Sequence, residues 1–121
     1  MIYLASPYSH PDVAVRERRF RDACRAAAKL MRVGHTGFSP IAHGHSIASF
    51  GLPTDWRFWE PFDRFQLERC DEVVVLTIDG WEASVGVQAE IQIAIELGKP
   101  VRYLGPDWSP TLAHVAKEAE G

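Results

Sequence analysis

One carboxylate stands where neither solvent nor an obvious counter-charge would keep it comfortable. Glu90 lies inside the apolar run Val85-Gly-Val-Gln-Ala-Glu-Ile-Gln-Ile-Ala-Ile. A carboxylate there is costly to desolvate, so it is paired, protonated or kept for chemistry. Asp63 lies in the segment that runs into the next apolar stretch, Val73-Val-Val-Leu. Two carboxylates across one crevice are the minimal equipment for breaking a glycosidic bond, one on the anomeric carbon and one serving the leaving group as acid. Two structural readings of Glu90 stand beside this one: a salt bridge to an arginine of another element, or a place on a polar helix stripe with Gln88 and Gln92.

Other residues could bind rather than react. The segment Ser6-Pro-Tyr-Ser-His-Pro puts Ser6, Ser9 and His10 ahead of a helix that Pro11 is well placed to open. Hydroxyls and unpaired N–H groups at a helix start suit an anion, and Ser9 equally suits plain capping. Ser84 and Gly86 repeat the pattern before the helix that carries Glu90: Ser84 as cap or ligand, Gly86 permitting close backbone approach. His35, His43 and His45 raise a metal reading. A metal needs three or four ligands, and no Asp, Glu or Cys stands at a helpful nearby spacing. They read as loop histidines, with no metal and no cofactor expected. Trp56, Phe58 and Trp59 suit an aromatic wall for a base, the core, or a subunit interface.

The elements that must position these residues follow from periodicity. An apolar strand over Ile2–Ala5 stops at Ser6-Pro7, and a helix runs from about 11 to 33. Its apolar stripe is Phe20, Ala23, Cys24, Ala27, Leu30 and Met31. Arg18, Arg21, Arg25, Lys29 and Arg32 recur on its other side and read as a solvated face. Residues 37–40 read as a second strand, 43–53 as a polar, glycine-bearing loop, and a helix begins at 56 or 61 and ends near 69. A buried central strand over 72–78, a helix over 84–97 stopped by Gly98 and Pro100, a strand over Val101–Leu104 and a last helix over 110–118 complete the series.

Strands alternating with amphipathic helices imply right-handed crossovers and a parallel sheet covered on both faces. The expected fold class is α/β, a small doubly wound (flavodoxin- or Rossmann-like) sheet of four to five strands in one domain over 1–121. For a strand order of 2-1-3-4 the ligand crevice lies between the first and third strands. The loops over 6–10 and 79–86 are therefore the functional ones.

Composition agrees with one compact domain: 121 residues are 46% hydrophobic. A formal charge of −3 gives no general attraction to a nucleic-acid polymer. Cys24 and Cys70 lack a Cys-x-x-Cys spacing and read as buried thiols. No apolar run approaches the roughly 18 residues of a membrane span, and the N-terminus lacks signal-peptide character. A cytoplasmic protein is expected.

The motifs resemble the nucleoside 2-deoxyribosyltransferase-like superfamily. They are Tyr3-Leu-Ala-Ser-Pro on the first strand, Asp63 followed by Asp71-Glu-Val-Val-Val-Leu, Ser84-Val-Gly-Val-Gln-Ala-Glu90, and Glu96-Leu-Gly-Lys-Pro-Val. The resemblance covers the first strand and most of residues 63–104, while 35–60 and the tail match nothing recognisable. It implies that Glu90 is the nucleophile at C1′ of a 2′-deoxyribose, that Tyr3 orients it, and that Asp63 protonates the leaving base. Six residues before that glutamate, base-exchanging members carry an aspartate, whereas the 2′-deoxynucleoside 5′-phosphate N-hydrolase branch carries serine, as Ser84 does here. The first loop departs from that branch, which has a glycine- and arginine-containing phosphate loop. Ser6, Ser9 and His10, with Arg16 or Arg19, are the candidates in its place. The resemblance thus implies an N-glycosidase acting on a small deoxynucleotide. Base exchange and a noncatalytic nucleotide-binding module are the alternatives, and a homodimer or higher homo-oligomer is expected.

Overall fold

The computed structural model describes residues 1–107, and the helix expected over 110–118 lies outside them. Eight elements follow one another: β1 (Ile2–Ala5), α1 (Val13–Arg32), β2 (Gly37–Phe38), α2 (Pro40–Ala48), α3 (Trp56–Glu68), β3 (Glu72–Leu76), α4 (Val85–Glu96) and β4 (Val101–Leu104). The four strands form one parallel sheet in the order β2-β1-β3-β4. This is the expected doubly wound α/β architecture. The order reverses between β1 and β3, whose register pairs Ile2 with Glu72 and Ala5 with Val75.

All four residues of β1 are buried, as a central strand covered on both sides requires. Alternation then sorts them. Tyr3 and Ala5 join Leu67, Val73, Val75, Val87 and Ile93 in one core, on the side of α3 and α4. Ile2 and Leu4 join Ala26, Leu30, Val74 and Leu76 on the side of α1. The period of two in a strand thus decides which face receives Tyr3.

Several local readings change. The α1 helix is capped by Asp12, whose Oδ1 accepts from the Ala14 N–H at 2.9 Å. Ser9 does not cap it. Its hydroxyl donates to the Thr54 carbonyl at 2.7 Å. Met31 is 64% exposed and Cys24 half-buried, because the stripe that meets the sheet runs through Ala23, Ala26 and Leu30. The basic side of α1 is a solvated face, with ion pairs Arg21–Glu17 and Arg25–Asp22 along it.

The largest difference lies at residues 40–48, read as strand end and loop. Ser39 accepts from the Ala42 N–H at 3.0 Å and Pro40 opens the first turn, an ordinary helix start. Gly44 and two histidines weaken the propensity of this segment. Packing restores it: a Cβ on Gly44 would lie 3.3 Å from the Trp59 ring, so the glycine is where the α2 backbone meets that indole. The α3 helix starts at Trp56, with Pro61 inside it.

Leu67 is fully buried between α3 and the sheet. Leu67→Ala is expected to cost about 2–5 kcal/mol of unfolding free energy, read as a lower midpoint in urea.

Candidate active site

The three residues that the sequence brings forward for chemistry meet on one face of the sheet. In α4, Val87, Glu90, Ile93 and Ala94 recur at three- and four-residue steps and are all buried. Gln88 and Gln92 fall outside this stripe and are exposed. Glu90 is therefore on the sheet-facing side and only 4% exposed, so the polar-stripe reading fails. The salt-bridge reading fails as well: Glu90 belongs to none of the ion pairs among the described residues. Its partner is Tyr3, fully buried on β1, whose hydroxyl donates to Glu90 Oε2.

Asp63 sits on α3 one turn before Leu67, on the same buried stripe, and is 6% exposed. Its Oδ1 has no hydrogen-bond partner among the described residues. Burial alone pushes its carboxyl up to about 7. Burial also raises Glu90 well above the usual carboxylate range; the Tyr3 hydrogen bond acts against that, and the charge of Asp63 adds to it. Burial, then Glu90 and Asp63, raise the Tyr3 phenol, which stays a proton donor. Two neighbouring buried carboxyls resist ionising together. Glu90, with a donor on its oxygen, is the better anion, and Asp63, with an orphaned oxygen, the better acid.

Glu90 and Asp63 line a cleft of about 450 Å³ beyond the carboxyl ends of β1 and β3. Ser6, Tyr8 and Ser9 reach it from the loop after β1, His45 from α2, Trp56, Arg57 and Trp59 from α3, and Ser84 and Gly86 from the start of α4. Ser6 is 4% exposed, and its Oγ has no partner among the described residues. Ser84 Oγ caps α4 by accepting from the Val87 N–H at 3.2 Å, which leaves the hydroxyl proton free to donate. Gly86 lies under the Trp56 ring, 3.4 Å from where a Cβ would be.

The remaining expected binders sit elsewhere. His10 is exposed and outside the cleft, its Nδ1 accepting from the Asp12 N–H at 3.0 Å. Arg16 donates to the His10 carbonyl. Arg19 donates to the Ser9 carbonyl at 3.0 Å and the Asp79 carbonyl at 3.5 Å, tying the two crevice loops together from behind. Its guanidinium lies over Gly80, whose φ of +91° suits glycine. Neither arginine lines the cleft. Arg57 does, and so do Tyr8 and Thr54, three residues that the sequence pattern does not single out as ligands. Trp56 and Trp59 form its aromatic wall, whereas Phe58 points away and is 44% exposed. His43 stacks on Phe62 at 5.1 Å between centroids. Among the described residues no three His, Cys, Asp or Glu cluster as metal ligands. No helix among them is long and apolar enough to cross a membrane.

A parallel doubly wound sheet with a tyrosine-held glutamate and a second buried carboxyl at its switch point defines an α/β domain built around a ligand crevice. Residues 1–105 match the model of a family described as a domain of unknown function, DUF1937, and the chain belongs to that family. No curated protein matches the chain. Among solved structures it is similar to a 2-deoxyribosyltransferase from the psychrotolerant bacterium Bacillus psychrosaccharolyticus. Identity is 26% over 97% of this chain and 80% of that one, with a TM-score of 0.65. This likeness agrees with the superfamily resemblance of the motifs.

Asp63 titrates at about 7 when folded against 3.8 ordinarily. The folded state holds this proton more tightly, so its contribution to stability is present at low pH and is lost as pH rises through 7. Between pH 5 and 8 the loss is about 3 kcal/mol. Asp63→Asn is expected to flatten the fall in urea stability over that window by about this amount.

Proposed function

We propose that this chain is an N-glycosidase that hydrolyses a 2′-deoxynucleoside 5′-monophosphate to a free base and a sugar phosphate. The observation that carries the reading is the Tyr3-held Glu90 in one cleft with Asp63, a buried carboxyl whose Oδ1 has no partner among the described residues. The Glu90 carboxylate attacks C1′ and forms the ester bond of a glycosyl-enzyme. The N-glycosidic pair departs with the base, which takes the Asp63 proton and leaves neutral. Water then attacks C1′, gives its proton to Asp63 and releases Glu90 as carboxylate. Tyr3 holds Glu90 in place and stabilises its charge before attack and after release. Trp56 and Trp59 offer faces against which a base can stack.

Phosphate recognition is assigned to the part of the cleft lined by Ser6 and the start of α4. The Ser84 hydroxyl, the first N–H groups of α4 and the orphaned Ser6 Oγ are donors, and a carboxylate at position 84 would repel the anion instead. Arg57 supplies the positive charge that the loop over 6–10 does not bring into the cleft. The second reading is base exchange between deoxynucleosides, supported by the likeness to a 2-deoxyribosyltransferase.

The test is chromatography of 2′-deoxynucleosides and their 5′-monophosphates incubated with the protein, with and without a second free base. Free base released from the monophosphates is expected. A new nucleoside would replace hydrolysis by exchange, and no release from any natural or modified base would end both readings. Glu90→Ala is expected to lose at least about 10³-fold in rate while keeping a cooperative thermal transition. Arg57→Ala is expected to raise KM for monophosphates roughly tenfold, a charge-assisted hydrogen bond being involved, with nucleosides unaffected.

A further inference from the structure

The cleft has a second polar wall that the carboxylate chemistry leaves unused. Tyr8 from the loop after β1 and His45 from α2 both line it, and the Tyr8 hydroxyl lies 2.7 Å from His45 Nδ1. His45 Nε2 lies 3.1 Å from Glu17 Oε1 on α1. Phe20 stacks on the imidazole, with centroids 4.1 Å apart and planes 21° from parallel. Arg21 holds the other Glu17 oxygen at 3.4 Å. The loop after β1 and α1 thus fix the ring that α2 carries, from two edges and a face.

The order of the hydrogen bonds follows from what each group can do. An ionised carboxylate only accepts, so Nε2 carries the proton toward Glu17. In the neutral ring Nδ1 is then an acceptor and takes the Tyr8 proton. The Tyr8 hydroxyl has spent its one donor, so to a ligand in the cleft that Tyr8 lines its oxygen offers only an acceptor. Arg16 also lies near this hydroxyl and can occupy one acceptor direction of the oxygen, leaving another.

We propose that the Tyr8–His45–Glu17 chain selects the leaving base, its fixed phenolic acceptor favouring bases with an exocyclic amino group over their keto counterparts. This rests on the N-glycosidase reading. A fixed acceptor facing a keto oxygen sets two acceptors against each other, whereas an amino group donates to it. Tyr8 is the specificity residue, and His45 and Glu17 position it by deciding where its proton points.

The experiment compares deoxyadenosine with deoxyinosine and deoxycytidine with deoxyuridine, all as 5′-monophosphates, in wild type and Tyr8→Phe. Wild type is expected to favour the amino member of each pair at least roughly tenfold in kcat/KM, the size of one lost hydrogen bond. Tyr8→Phe is expected to abolish that preference by slowing only the amino members. An equal fall for both members, or an unchanged ratio, overturns the proposal and leaves Tyr8 a structural role. Free adenine and hypoxanthine are tested in parallel by thermal shift, which needs no turnover. A larger shift with adenine that Tyr8→Phe abolishes upholds base selection even if no nucleotide is cleaved, in which case the N-glycosidase reading alone falls. Equal shifts with both bases in both proteins reject the selection whatever the activity.

Discussion

Everything in the crevice depends on one hydrogen bond beneath the surface of the sheet, from the Tyr3 hydroxyl to Glu90. Burying an unpaired carboxylate costs several kcal/mol even after relaxation, and no cation among the described residues pairs with Glu90 to offset that cost. The tyrosine makes the position tolerable without neutralising it. A guanidinium in its place would have made Glu90 a stable and unreactive anion. The bond exists because two periodicities agree: alternation along β1 turns Tyr3 toward α4, and the helical repeat of α4 turns Glu90 toward β1. Sliding β1 by one residue would send Tyr3 to the α1 side and leave Glu90 without a donor.

Around that bond the cleft is assembled from segments distant in sequence. Arg19 on α1 reaches the carbonyls of Ser9 and Asp79 and joins the loops on either side of the switch point. Ser9 in turn holds the Thr54 carbonyl in the stretch before α3. These polar ties brace the loops around the cleft, and the unpartnered atoms, Ser6 Oγ and Asp63 Oδ1, belong to residues that line it. A buried polar atom without a partner is rarely kept for stability. Two in one cleft mark a surface arranged for a ligand.

The strand order, the crevice and the position of Glu90 were legible in the sequence, because each rests on a regular repeat. Glu90 stood out as the one charge in an apolar stripe, and Ser84 as a hydroxyl just before a helix. What escaped notice rests on tertiary contact. The α2 helix carries weak formers whose packing against Trp59 could not be seen in one dimension. Ser9 looked like a cap because Pro11 follows it, but Asp12 lies closer to the first turn and accepts from its N–H. The sequence points to Arg16 and Arg19 for the charge suited to a phosphate, and both lie on α1 outside the cleft. Arg57 lines the cleft instead, since α3 brings its first turn over the switch point. The superfamily motifs reached the carboxylates and stopped short of residues 35–60, which supply His45, both tryptophans and Arg57.

The two faces of the sheet do unequal work. Ile2, Leu4, Ala26, Leu30, Val74 and Leu76 form a core on the α1 side, and none of them lines the cleft. Substitutions among these six, as at Leu67 on the other face, alter how much folded protein a cell retains, while those at residues lining the cleft alter what each molecule does. A deep mutational scan of this chain would therefore separate into an abundance class in the two cores and an activity class around the cleft. For an engineer, the core that Ala26 and Leu30 share with the sheet is the place to add thermal robustness with little risk to turnover.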